Sequence, residues 1–206
     1  MPPFPAQRTI GLLALVCPFW FASVYLVLSG IRPEYSHLTK AISELGSVDA
    51  PRAALWNIFG YFISGIVIAL LGLGVKREFR VDERSRLPAY ALVASGAFMA
   101  MSGVFPGDFE NRSSMTMLLH TVGSIMCFVA FLVAGFTLPR GMKHTAPFRA
   151  AVWPSLVLVY ASIIAGFFRS GGMPGLGQRL GFFFYFLWIG LVGFMLYRHT
   201  RLSDQA

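Results

Sequence analysis

Four ionisable side chains lie at or near the ends of long apolar segments and belong to types that do chemistry: Glu44, Asp108, His120 and Arg179. Histidine and carboxylate side chains act as general acids and bases, and a guanidinium binds a carboxylate or phosphate through paired hydrogen bonds. A charge inside a bilayer is costly unless it is paired or faces a cavity. We therefore predict that the fold gathers these side chains in one polar pocket, with Arg179 held against Glu44 or Asp108.

The first functional hypothesis is that this pocket binds a lipid headgroup or another amphiphile. Arg179 and Arg169 would contact an anionic group, Glu44 and His120 would orient it, and the aromatic residues of the last apolar segment would line the acyl region. The ligand-binding residues of this hypothesis are Arg179, Arg169, His37, Glu44 and Asn57. Membrane lipids are the expected partners.

The second hypothesis is an intramembrane lipid hydrolase or transferase. His120 would be the general base or a metal ligand, Asp108 its orienting carboxylate or a co-ligand, and Glu44 an acid. A third hypothesis is a small structural subunit of a membrane complex, with no pocket of its own. No nucleophile and no closed set of metal ligands stands out, so we favour binding and leave open whether the chain is an enzyme.

Each of these residues also has a purely structural interpretation. His120 would be a hydrogen-bonded packing histidine, and Asp108, which follows Pro106 and Gly107, would form a turn. Arg179 would be an anchor whose side chain reaches the lipid headgroups. These interpretations compete with the functional ones residue by residue, and they are weaker for the set as a whole.

No cofactor is predicted. Imidazole and carboxylate groups suit zinc, but the spacing of His37, Glu44, Asp108 and His120 does not require a metal. Each apolar segment holds at most one histidine, which argues against haem ligation by two histidines of one segment.

The composition indicates an integral membrane protein. Of 206 residues 56% are hydrophobic and only 13% are charged, and the charges cluster so that several windows of about 20 residues are almost free of them. Lipid offers no hydrogen bonds to the backbone, so each crossing should be helical. We predict an all-α, single-domain bundle of six transmembrane helices, at about residues 9–29, 53–75, 87–105, 115–138, 150–168 and 178–197.

Basic residues predict the orientation. Eleven of the 17 lysines and arginines lie in the N-terminus, the second and fourth loops and the C-terminal tail. By the positive-inside rule both termini are cytoplasmic, and the four candidate residues are on the outer side of the cell (inner) membrane. This distribution explains the net charge of +8, so we do not predict a nucleic-acid partner.

The stretch between the first two spans, residues 35–46, is predicted to form a short interfacial helix. The Ser36 hydroxyl can cap its start, and Gly46 suits a left-handed stop. Helical spacing would separate an apolar face from an ionisable one; the faces carry Leu38, Ile42 and Leu45, and His37, Lys40 and Glu44. The alternative is a connector that only sets the angle between two spans.

Small residues recur on two of the predicted spans. They are Gly60, Ser64 and Gly65 in the second span and Gly96 and Ala100 in the third. Small residues four apart allow close approach of helices. Such faces could pack within the chain, against a protein partner or in a homo-oligomer.

Short motifs spread along the chain resemble those of an uncharacterised family of six-span membrane proteins, the domain of unknown function numbered 998. They are Ala41-Ile42-Ser43-Glu44-Leu45-Gly46, Phe105-Pro106-Gly107-Asp108, Leu119-His120 and Gln178-Arg179-Leu180. The resemblance implies an acidic residue before the arginine, where this chain has Gln178. The Ile-Ser-x-x-Gly element is also similar to the Frag1/DRAM/Sfk1 membrane proteins, some of which are tied to lipid organisation. Neither resemblance implies an activity for particular residues.

Overall fold

The computed structural model describes residues 7–78, 86–144, 146–168 and 172–203, and within these ranges every regular element is helical. Six segments are long and apolar enough to cross a membrane, which confirms the predicted all-α bundle. The helices in these segments are α1 (Gln7–Gly30), α2 (Ala53–Leu55, Trp56–Phe62 and Ile63–Glu78 in succession), α3 (Arg86–Val104), α4 (Met115–Met142), α5 (Val152–Phe167) and α6 (Pro174–Ser203). The fifth segment, Phe148–Phe167, is longer than α5 itself. A 3₁₀ helix, Ala146–Ala151, leads into α5.

The helices pack in a ring. α1 contacts α2 and α6, α2 contacts α3, and α3 contacts α4, while α5 packs mainly on α6 and only lightly on α4. Large aromatic side chains such as Trp56, Phe131 and Trp188 are fully buried in the core. The free thiols of Cys17 and Cys127 are buried.

The predicted small-residue faces of α2 and α3 meet each other. A Cβ atom added to Gly96 would lie 2.4 Å from both the backbone nitrogen of Ala69 and the carbonyl oxygen of Gly65. A Cβ atom on Gly65 would lie 2.6 Å from the backbone nitrogen of Ala100. The two backbones are therefore as close as glycine allows, and these faces serve packing within the chain.

The connector between α1 and α2, residues 31–52, corrects the predicted continuous helix. The Ser36 hydroxyl does accept from the Thr39 amide at 3.3 Å, but this turn ends at Ala41, which is extended (φ −68°, ψ 150°), and a separate 3₁₀ helix, Ile42–Gly46, follows. The break lets Ile42 and Leu45, each 2% exposed, pack into the core, whereas Leu38 remains 53% exposed.

Gly46 is needed for space, and the predicted left-handed stop is wrong. Among the described glycines a positive φ occurs at Gly172 and not at Gly46. A Cβ atom on Gly46 would lie 2.1 Å from Oδ1 of Asn57 and 2.6 Å from the Trp56 ring. Asn57, in the π-helical segment of α2, donates from Nδ2 to the Gly46 carbonyl at 2.9 Å. This contact fixes the end of the connector against α2.

Candidate functional site

Arg179, in the second turn of α6, is the centre of a polar cluster formed with the connector. Its Nε donates to the Tyr25 hydroxyl at 2.7 Å, its Nη1 to the Lys40 carbonyl at 2.8 Å, and its Nη2 to the Tyr35 hydroxyl at 2.7 Å. The guanidinium carbon lies 5.4 and 5.2 Å from the centroids of the Tyr25 and Tyr35 rings, in cation–π geometry.

All three acceptors of this half-buried cation are neutral. The Tyr35 hydroxyl donates to the Ala41 carbonyl at 2.8 Å, and burial raises the pKa of Tyr35, so it remains protonated at physiological pH. The Tyr25 hydroxyl hydrogen-bonds to Nδ1 of His37, which places the predicted ligand residue His37 behind Tyr25. The guanidinium charge is thus held by polar groups and aromatic faces.

The predicted pairing of Arg179 with a carboxylate is wrong. Within the described ranges the ion pairs join Arg32 to Glu34 and Lys40 to Glu44, and neither involves Arg179. Glu44 lies 3.4 Å from the Lys40 ammonium and accepts from the Ala41 amide at 2.7 Å, so it is used locally to cap the 3₁₀ helix. Glu44 and Arg179 do not contact each other. Each contacts Lys40, Glu44 through the ammonium group and Arg179 through the main-chain carbonyl.

Tyr25 and Tyr35 were missed by the sequence reasoning. Tyrosines near the ends of apolar spans are common as interface anchors, and nothing in their spacing indicates that both rings flank the same arginine. The signal available was indirect: Tyr35 begins the only connector that resembles a structured element, and Tyr25 is among the last residues of α1.

Gln178 joins the connector to α6. Its Oε1 accepts from the Ile42 amide at 2.5 Å, and the nearby Leu176 amide donates to the Leu38 carbonyl at 3.1 Å. The acidic residue implied at this position by the family resemblance would supply the same kind of acceptor. Glutamine therefore keeps the structural role without the charge.

We expect Gln178→Leu to lower the free energy of unfolding by about 1–3 kcal/mol, because it leaves the partly buried Ile42 amide without an acceptor. Gln178→Glu retains that acceptor and should cost less. Denaturant unfolding in mild detergent, followed by circular dichroism, measures the difference. Equal losses for both variants would show that the hydrogen bond to Ile42 is not what stabilises this position.

A groove of about 920 Å³ runs along the outside of the bundle from this cluster. Arg179 and Tyr25 are at one end, and the remaining lining is almost wholly apolar, contributed by α1, α5 and α6. Side chains that line it include Leu15, Pro18, Ala22, Pro154, Phe183 and Phe194. The groove thus joins a cation to an extended apolar surface.

His120 lies elsewhere, in a second cavity of about 470 Å³. The ring is 4% exposed, and its Nδ1 lies 3.0 Å from the Ser102 carbonyl and 2.9 Å from the Phe105 carbonyl. Two carbonyl acceptors at one nitrogen assign the proton to Nδ1. His120 is therefore a hydrogen-bonded packing residue, as the structural interpretation expects. The bonds at Nδ1 leave Nε2 as the ring nitrogen available to the cavity.

Asp108 does not orient His120. Its Oδ1 accepts from the Asn111 amide at 2.9 Å, as in a turn, and it lines neither cavity. Main-chain carbonyls occupy the orienting position at Nδ1 that was predicted for this carboxylate. Among the described residues, no group of three His, Cys, Asp or Glu side chains could hold a metal ion.

The predicted single pocket is therefore divided. Arg179 and Glu44 belong to the cluster at the connector, and of these two only Arg179 lines the groove. His120 lines the second cavity. Asn57 supports the connector from α2 and lines neither space. Arg169 lies outside the described residues.

The amino-acid sequence matches the model of a known protein family. The family model described as "Protein of unknown function (DUF998)" matches residues 15–195, which is most of the chain. No curated protein and no solved structure matches the chain.

Proposed function

The chain belongs to DUF998, a family of proteins of unknown function, and we propose that this multi-pass membrane protein binds an anionic phospholipid in the groove beside Arg179. The phosphate would lie at Arg179 and one acyl chain along α1, α5 and α6. With the orientation predicted from the basic residues, the lipid would come from the outer leaflet of the cell membrane.

The observation that carries the proposal is the charge of Arg179, which forms no ion pair with a carboxylate among the described residues. A guanidinium has five N–H donors, and the three hydrogen bonds to Tyr25, Lys40 and Tyr35 leave two of them for a ligand. A phosphate supplies both the missing negative charge and the geometry for two parallel hydrogen bonds. Neutral acceptors around the cation favour a charged ligand over a zwitterion of no net charge.

The apolar part of the groove suits an acyl chain. Its lining on α6 extends from Arg179 to Phe194, sixteen residues whose first and last Cα atoms are about 22 Å apart along the helix axis. One leaflet of hydrocarbon is about 15 Å thick, half of the bilayer core. A lipid whose phosphate meets Arg179 would therefore find apolar contacts along the whole of its chain.

A hydrolase based on His120 and Asp108 is not proposed. The two side chains have separate hydrogen-bond partners, and only His120 lines a cavity.

Native mass spectrometry of the detergent-purified protein tests the proposal. We expect phosphatidylglycerol to bind in one-to-one stoichiometry and phosphatidylcholine with the same acyl chains to bind at least tenfold more weakly. Ala22→Phe, which puts a ring into the groove one turn before Tyr25, should weaken phosphatidylglycerol binding about tenfold.

Val27→Phe is the matched control, because Val27 is exposed on the same helix and does not line the groove. It should bind as the wild type does. Equal affinity for the two phospholipids, or an unchanged affinity in Ala22→Phe, would contradict the proposal.

A further inference from the structure

The second cavity differs from the groove in chemistry. Its polar lining consists of hydroxyl, thiol, amide and imidazole groups, and among the residues that the structure describes no lysine, arginine, aspartate or glutamate lines it. These polar residues are Ser43, Tyr61, Ser102, His120, Thr121, Ser124, Cys127, Ser162, Gln178 and Tyr185. Several neutral hydrogen-bonding groups that converge in a mostly apolar cavity are typical of a site for an uncharged ligand with hydroxyl groups.

His120 gives this cavity a directional acceptor. Because Nδ1 donates to the carbonyls of Ser102 and Phe105, the lone pair of the neutral ring is on Nε2. The ring is held from one side by the backbone of α3 and the following turn, so its orientation does not depend on a ligand. A hydroxyl group that donates to Nε2 would complete the hydrogen bonding of the imidazole.

The cavity has the size and the access that a small amphiphile needs. Its volume of about 470 Å³ is in the range of small-molecule sites. It lies where α4 packs only lightly on α5, and its rim includes Ile125 and Val129, which are exposed on the surface of α4. Gly166 and Gly181 also line it, and a Cβ atom on either would meet no atom within 4 Å.

We infer that this cavity is a second binding site, separate from the groove at Arg179, for an uncharged amphiphile with hydroxyl groups, of the monoacylglycerol class. One hydroxyl donates to Nε2 of His120, the serine, threonine and glutamine side chains contact the rest of the head, and the acyl chain leaves between α4 and α5 into the lipid. The site requires no charge on the protein or on the ligand.

Titration of the detergent-purified protein with monoolein, followed by native mass spectrometry, tests the inference. His120→Asn keeps a nitrogen donor at the position of Nδ1 and removes Nε2, so it should bind monoolein about tenfold more weakly and remain folded. Gly181→Leu puts an apolar side chain at a position in the cavity lining where a Cβ atom meets no atom within 4 Å, and it should abolish binding. Gly30→Leu is the matched control, since a Cβ atom there also meets open space and Gly30 is outside the cavity.

Two further comparisons separate this site from the groove. Ala22→Phe should leave monoolein binding unchanged, because Ala22 lines the groove and not the second cavity. His120→Asn should leave phosphatidylglycerol binding unchanged. Monoolein with both hydroxyls methylated should bind about tenfold more weakly than monoolein. Wild-type affinity of Gly181→Leu would show that monoolein does not bind in this cavity, and equal binding of the methylated analogue would show that the hydroxyl groups are not recognised.

Discussion

Gly96→Val is expected to destabilise the protein by about 3 kcal/mol, and the folded fraction recovered in detergent should fall accordingly. The added Cβ atom would meet the Ala69 nitrogen and the Gly65 oxygen at 2.4 Å, and both are backbone atoms that no rotamer change can move. The two helices must therefore separate. Overpacking of this kind costs about 1–3 kcal/mol and sometimes more, and separation also loses the close contacts that hold helices together in lipid.

Thermal unfolding in a mild detergent, monitored by circular dichroism, provides the measurement. Gly166→Val is the control, because it makes the same change in a helix where a Cβ atom meets open space. It should change the midpoint little. If Gly96→Val and Gly166→Val have the same midpoint of thermal unfolding, the backbones of α2 and α3 are not in close contact at Gly96.

The small residues on α2 and α3 illustrate what could be predicted from sequence. Spans are set by the length of apolar runs between charges, and Gly65, Gly96 and Ala100 are identified as packing residues by size alone. Lipid admits one kind of crossing segment, so few folds compete. For these reasons the six helices and the residues that allow close packing could be predicted, but not that these residues join α2 to α3.

The candidate site could be predicted only in part, because its geometry depends on the connector. Helical periodicity over residues 36–46 placed Glu44 on an ionisable face, where an arginine would be its natural partner. The observed break at Ala41 instead turns Glu44 back onto the Ala41 amide and presents the Lys40 carbonyl to Arg179. Such a break depends on tertiary contacts with α2 and α6, for which local spacing carries no information.

The division into two sites also arises at this connector. Ile42 lines the groove, while its neighbours Ala41 and Ser43 line the second cavity. On α6, Arg179 and Gln178 divide in the same way. The hydrogen bond between the Ile42 amide and Gln178 therefore joins a residue that lines the groove to one that lines the second cavity, whose described lining carries no charged side chain. Neighbours in sequence serve different cavities, so a similar position at the ends of the spans does not bring Arg179 and His120 into a single pocket.

Arg179→Gln should reduce phosphatidylglycerol binding at least tenfold and remove the preference over phosphatidylcholine. The variant loses the positive charge at the end of the groove and both N–H donors that remain for a phosphate. Arg179→Lys keeps the positive charge, but an ammonium group cannot donate to Tyr25, Tyr35, the Lys40 carbonyl and a phosphate together. This variant should therefore retain the preference for the anionic lipid and bind it with reduced affinity.

Loss of Arg179 also removes two hydrogen bonds that hold the connector, to Tyr35 and Lys40, and one to Tyr25 of α1, so a structural cause must be separated from an electrostatic one. Tyr35→Phe does this, because it removes the hydroxyl contacts to Arg179 and Ala41 and leaves the guanidinium in place. It should loosen the connector, lower the melting temperature and keep the preference for phosphatidylglycerol. If Tyr35→Phe loses that preference as completely as Arg179→Gln does, the connector and not the charge of Arg179 governs lipid binding, and the proposed role of Arg179 is wrong.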